Sequence, residues 1–247
     1  MAITPWILAP LLFSRGSKSF VQRNRLGLGK LKDHLGFFAS VRNLVVAIYS
    51  TQRGDHIAKP KQPGVNKSLT SEQQHLSELW EEHVRYEFST RNTEDTLATM
   101  VEDAYVNHIP VLTGGTGRDE LREFYSRRFI PQMPPDTEMT PVSRTIGEDQ
   151  IVDEMVFKFT HTIPMDWMLP GIPPTGKRVE VPLVAIVRVR NGKVAHEHIY
   201  WDQASVLVQI GLLDPARLPV VGVESAKKVL DPTLPANALM RRADLNQ

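Results

Sequence analysis

From residue 70 onward the apolar positions fall at two different spacings. Leu76, Leu79, Trp80, His83, Val84 and Phe88 recur every three to four residues, the period of a helix that buries one face. Thr70 or Ser71 precedes them, with Gln73 or Gln74 three residues on, which is a capping-box start. A second helix is expected over about 93–103. A third, "RDELREFYSRRFI", opens with acids and carries Arg127 and Arg128 near its end, matching the helix dipole. "AYVNHIPV" reads as a short strand between them and "LTGGTG" as a turn.

From residue 137 the period changes to two. "TEMTPVSRTIGED" and "QIVDEMVFKFTHTI" form one hairpin; "VEVPLVAIVRVR" and "KVAHEHIYWDQ" form another around Asn191-Gly192, a strong two-residue turn signal. That turn sets a register in which Val189 faces Val194, Val187 faces His196, Ala185 faces His198, Leu183 faces Tyr200 and Val181 faces Asp202. The opposite face then pairs Ile186 with Glu197, Val184 with Ile199 and Pro182 with Trp201. "PMDWMLPGIPPTGKR" is a proline-rich loop, expected to act as a semi-rigid flap over a pocket mouth. "ASVLVQIGLL" is a short closing helix. Helices followed by long antiparallel strands indicate an α+β domain, with helices packed on one face of a curved sheet.

Charge divides the chain a second way. Residues 1–69 carry 11 Lys/Arg against 2 Asp/Glu, and residues 70–247 carry 18 against 26. The basic, acid-poor leader with interspersed serines reads as an organellar, mitochondrial-type transit segment; a cytoplasmic protein with a basic tail is the alternative. "AKPKQPGVNKS" is a Pro/Gly/Lys linker. The expected organisation is therefore a leader and linker over 1–69, a domain over 70–213, and an extended tail over 214–247. The acidic body argues against a nucleic-acid partner. No stretch reaches the roughly 18 apolar residues needed to span a bilayer. The chain contains no cysteine, which excludes a thiolate nucleophile, a disulfide scaffold and any Cys-ligated metal.

The candidate chemistry lies on the last hairpin. In the expected register His196, His198, Tyr200 and Asp202 share one face with an apolar strand beside them. A carboxylate among apolar side chains tends to a raised pKa, and near histidines and a phenol it makes a general acid–base set. His108 and His161 can join from neighbouring elements. The structural alternative makes the histidines and Tyr200 hydrogen-bonded core residues and Asp202 the cap of the following helix. His196-x-His198 with Asp202 or His161 is a weak metal pattern, and neither a metal nor a cofactor is expected. "LTGGTGRDE" lacks phosphate-loop spacing, and there is no G-x-S-x-G elbow.

Three stretches, "YVNHIPVLTGGTGRDELREFY", "MDWMLPGIPPTGKRVEVPLVAIVRVRNGKV" and "EHIYWDQASVLVQIGLL", together resemble the SnoaL-like polyketide cyclases of the nuclear transport factor 2-like superfamily. The resemblance covers about residues 72–213. It implies a cone, a strongly curved antiparallel sheet wrapped on helices around a deep apolar pocket, and often a dimer through the outer sheet face. It places the family's aspartate acid/base at Asp202 and a family histidine at His108, with His198 and Tyr200 as donors to a developing enolate oxygen. The pocket is expected to be lined by His196, His161, Trp167, Met168, Tyr125, Leu183, Ala185 and Val187. The implied activity is a cofactor-free cyclase, isomerase or dehydratase acting on a small hydrophobic carbonyl compound. A ligand-binding or scaffolding module of the same fold is the alternative, and a metal-assisted hydrolase a weaker third reading. A homodimer is expected through Val184, Ile186, Ile199 and Trp201.

Overall fold

A computed structural model describes residues 68–244. The basic leader, its transit reading and nearly all of the linker lie outside the described residues. Helix α1 (Ser71–Phe88) starts as the pattern requires: the Thr70 hydroxyl accepts from Gln73 N–H at 3.2 Å, and Thr70 N–H donates to Gln73 Oε1 at 3.1 Å. Its buried residues are Leu76, Trp80, His83 and Glu87. These recur at helical spacing, so one stripe carries two apolar and then two ionisable side chains into the interior. Helix α2 (Thr93–Ala98) is capped by Asn92 and is shorter than expected, because the chain turns extended at Met100.

The six strands are β1 (Met100–His108), β2 (Thr113–Thr116), β3 (Glu138–Ile146), β4 (Gln150–Thr160), β5 (Arg178–Arg190) and β6 (Lys193–Trp201). They form one sheet in the order β2-β1-β6-β5-β4-β3. All neighbours are antiparallel except β1 and β6, which run parallel, so the sheet is mixed. The segment expected as a turn, "TGGT", is strand β2. Gly114 is required there: a Cβ at this position would lie 2.0 Å from Val106 O on β1. Helix α3 (Gly117–Glu123) continues into a π-helical segment, Phe124–Phe129.

Alternating residues of β5, Val179, Val181, Leu183, Ala185 and Val187, are buried and face the inner side of the sheet, as expected. Helix α1 lies across this face against β3, β4 and β6. It is pinned there by a polar clasp. Trp80 Nε1 donates to Asp153 Oδ2 at 2.8 Å. Arg144 grips both Asp153 oxygens, at 2.6 and 2.7 Å, and reaches back to Glu81 and Ser77 on α1 at 2.9 Å. The proline-rich loop is not a flap. Met165, Trp167, Met168 and Leu169 are all buried in the core and fill the interior, because their large apolar side chains gain more from burial than a loop at the rim would allow.

Helix α4 (Gln203–Gln209) follows β6 and packs on β5. Helix α5 (Glu224–Leu230) packs against β4 and β5, and α6 (Ala238–Asp244) ends the described chain. The tail is therefore partly helical, with Ala226 wholly buried. No helix among the described residues is long and apolar enough to cross a membrane.

Candidate functional site

The Asn191-Gly192 turn forms as expected, with both residues at positive φ (56° and 70°), and it pairs Arg190 with Lys193 and Val189 with Val194. The ladder then slips. Arg188 pairs with His196, not Ala195, and every later pair is offset by one: Val187 with Glu197, Ala185 with Ile199, Leu183 with Trp201. The extra residue is Ala195, a β-bulge, and Val194 and Ala195 are buried in succession. A one-residue slip exchanges the two faces of a strand. Glu197, Ile199 and Trp201 therefore point inward, and His196, His198 and Tyr200 point outward.

This corrects the expected face. His196 and His198 stack at 4.5 Å between centroids. Tyr105 stacks on His196 at 5.0 Å, and its hydroxyl lies 3.1 Å from His198 Nε2. Tyr200 is 40% exposed. Asp202 is exposed and caps α4, accepting from Ser205 N–H at 3.1 Å. The expected dimer face also divides: Val184 and Ile186 remain outside, while Ile199 and Trp201 are core.

Inside, the bulge delivers Glu197 to the polar end of the α1 stripe. His83 Nε2 lies 3.1 Å from Glu197 Oε1 and 3.3 Å from Glu87 Oε1. Tyr125, on the π-helical segment, donates its hydroxyl to Glu197 Oε1 at 3.2 Å. None of the four is more than 4% exposed. His83 Nδ1 is 2.6 Å from Thr99 Oγ1, and the Thr99 hydroxyl donates to Thr96 O at 2.6 Å. With that proton committed, Thr99 can only accept, so Nδ1 of His83 carries the hydrogen and Nε2 faces the carboxylates. His83 Nε2 nevertheless makes no hydrogen bond of good geometry.

Electrostatics follow from this packing. Burial alone would lower the pKa of His83, but the charges of Glu87 and Glu197 outweigh it and push the pKa up to about 10. Burial raises Glu87, against the opposing pull of His83. Burial and the two carboxylates hold the Tyr125 phenol well above its ordinary range, so it remains a donor. The cluster sets one imidazole against two carboxyl groups. His83, Glu87 and Glu197 also offer ligand atoms that all lie within 4.8 Å of one another, a spacing one metal ion can bridge.

His108 occupies a separate aromatic cage of Phe124, Phe129, Trp167 and Trp201, with centroids 5.4–5.8 Å away. Its Nδ1 lies 3.2 Å from Thr113 Oγ1, whose hydroxyl is given to Trp167 O at 2.6 Å. Burial lowers its pKa to about 4, so it is a neutral imidazole. His161 is buried beside Thr175, with Nδ1 3.3 Å from the hydroxyl, and burial lowers it too. Of the expected lining, Tyr125, Trp167, Met168, Leu183, Ala185 and Val187 are interior, and Tyr125 alone bonds to the cluster.

Sequence reasoning missed His83, Glu87 and Glu197. Two signals were present. His83 sits on the apolar stripe of α1 with Glu87 one helical turn on. In β6, Ala195, Ile199 and Trp201 alternate with each other and share Glu197's parity.

A family model described as SnoaL-like polyketide cyclase matches residues 77–210. No curated protein matches the chain by sequence. Among solved structures, a putative SnoaL-like polyketide cyclase from Jannaschia sp. CCS1 is 18% identical, covering 60% of this chain and all of that one, with a TM-score of 0.49. TsrD from Streptomyces laurentii is 20% identical over 59% of this chain and all of its own, with a TM-score of 0.47. A putative polyketide cyclase from Xanthomonas campestris pv. campestris is 16% identical over 57% of this chain and all of its own, with a TM-score of 0.45.

Proposed function

The chain belongs to the SnoaL-like polyketide cyclase family, and from that premise we propose that it is an acid–base enzyme acting on a small hydrophobic carbonyl or polyketide-like compound. The observation that carries this reading is the convergence of Glu197, Glu87, His83 and Tyr125 on the inner face of the sheet, walled by Val187 and the core. Such a set can remove a proton next to a carbonyl and stabilise the enolate oxygen. Glu197, held by the Tyr125 hydroxyl, is the proton-transfer group. The imidazolium of His83 and the phenol of Tyr125 supply positive charge and a hydrogen-bond donor where negative charge develops. Cyclisation, isomerisation and dehydration share that step. Catalysis here passes from Asp202 to Glu197, because Asp202 is an exposed helix cap.

The test does not require the natural substrate. Full-length protein is incubated in deuterium oxide with a panel of hydrophobic ketones and polyketide-like diones, and exchange at the α-carbon is followed by NMR. The wild type should accelerate exchange for at least one member, and Glu197→Gln should reduce the rate by about 100-fold or more. Equal rates for wild type and variant would overturn the assignment.

A second reading, a ligand-binding module without turnover, is favoured by one observation: Met165, Trp167 and Met168 fill the interior. Ligand binding with no exchange across the panel would support it.

A further inference from the structure

We propose that His83, Glu87 and Glu197 form a binding site for a divalent first-row transition cation of the zinc class. The proposal goes beyond the proton-transfer reading and does not depend on it, since a bound cation makes Glu197 a ligand instead of a base.

Geometry supplies the first argument. Around a tetrahedral ion with bonds of about 2.0–2.2 Å, ligand atoms stand about 3.3–3.5 Å apart. The separations of His83 Nε2 from Glu87 Oε1 and Glu197 Oε1, 3.3 and 3.1 Å, are already close to that. The second argument is the fully buried Nε2 itself. It is aimed at the two carboxylates, yet neither oxygen meets it with hydrogen-bond geometry. A buried polar atom that makes no hydrogen bond is costly, and a cation that takes the place of its proton removes that cost.

The supporting shell is of the kind a ligating histidine requires. Its other ring nitrogen is held by Thr99, which is locked in turn by Thr96 O, so Nδ1 keeps its hydrogen and a cation that displaces the Nε2 proton meets a correctly aimed lone pair. Glu197 is likewise fixed by the Tyr125 hydroxyl. Charge is the last argument. A neutral imidazole and two carboxylates carry two negative charges, which one dication cancels without any added proton. One imidazole with two carboxylates suits zinc, manganese or iron better than the all-oxygen sites of calcium and magnesium.

The site is buried, so loading is tested both during synthesis and on refolding. Full-length protein is expressed with added zinc(II), desalted, and its metal content measured by mass spectrometry. A chelator-treated sample is unfolded and refolded with and without zinc(II), and its thermal midpoint recorded. The expected result is close to one zinc per chain and a higher midpoint with the metal, with occupancy reduced at least tenfold in His83→Gln and Glu87→Gln. X-ray absorption of the zinc-loaded wild type should fit one imidazole with oxygen ligands. Where the variants fail to fold, this spectrum decides alone. Negligible zinc in the wild type, unchanged occupancy in both variants, or two or more imidazoles on the metal would each overturn the proposal. The deuterium-exchange experiment, run on chelator-treated protein, tests the acid–base reading separately.

Discussion

Lowering the pH should unsettle this fold through one identifiable histidine. His108 is 3% exposed and caged by four aromatic rings, with its Nδ1 3.2 Å from the Thr113 hydroxyl oxygen. Its pKa falls from 6.5 to about 4 because burial disfavours the imidazolium; the charge of Glu197 opposes this only in part. The unfolded chain therefore binds a proton more readily than the folded one between these two values. The contribution is fully present above pH 6.5 and is lost as the pH falls towards 4. From the linkage relation the loss is about 1.4 kcal/mol by pH 5.5 and about 3 kcal/mol by pH 4. The assay is urea denaturation at pH 7.5, 5.5 and 4 for wild type and His108→Gln. Burial also lowers the pKa of His161 and His196, but these groups are common to both proteins and cancel in the comparison. The gap in stability between the two proteins should shrink on acidification by those amounts. Should the gap stay constant from pH 7.5 to 4, or should NMR show the His108 ring charged at pH 5.5, the reasoning would be refuted.

Deleting Ala195 removes the bulge and turns Glu197, Ile199 and Trp201 towards the outer face. The variant should lose cooperative thermal unfolding in circular dichroism, whereas Ala195→Ser, which keeps the residue count, should fold. Asp202→Asn should change stability by only a few tenths of a kcal/mol, since Asn caps a helix about as well as Asp, and should keep α-carbon exchange at the wild-type rate. A large loss of exchange in Asp202→Asn would return the proton-transfer role to that residue.

Much of the architecture was legible because it rests on local chemistry. The Thr70–Gln73 box, the helical stripe of α1, the alternation of β5 and the positive-φ pair at Asn191-Gly192 each need only a few neighbouring residues to declare themselves. The α+β class followed from these, whereas the family was read from the resemblance of three longer stretches and is matched over residues 77–210. The short strand β2 was hidden because two glycines carry no side-chain pattern. Its pairing depends on Gly114 letting the backbone close on Val106.

The candidate site was settled at a longer range. By itself the sequence determined that one hairpin would bring charged and aromatic residues against an apolar strand, and that His83 would ride the buried side of α1. Which face of β6 turned inward was a tertiary decision. The turn fixes only the first two pairs; beyond them β6 must also pair with β1, and Val194 N–H donates to Thr99 O at 2.9 Å. Serving both neighbours leaves Ala195 as the extra residue. Because strand side chains alternate, that single residue exchanges the two faces, placing Glu197 in the core and the histidines outside.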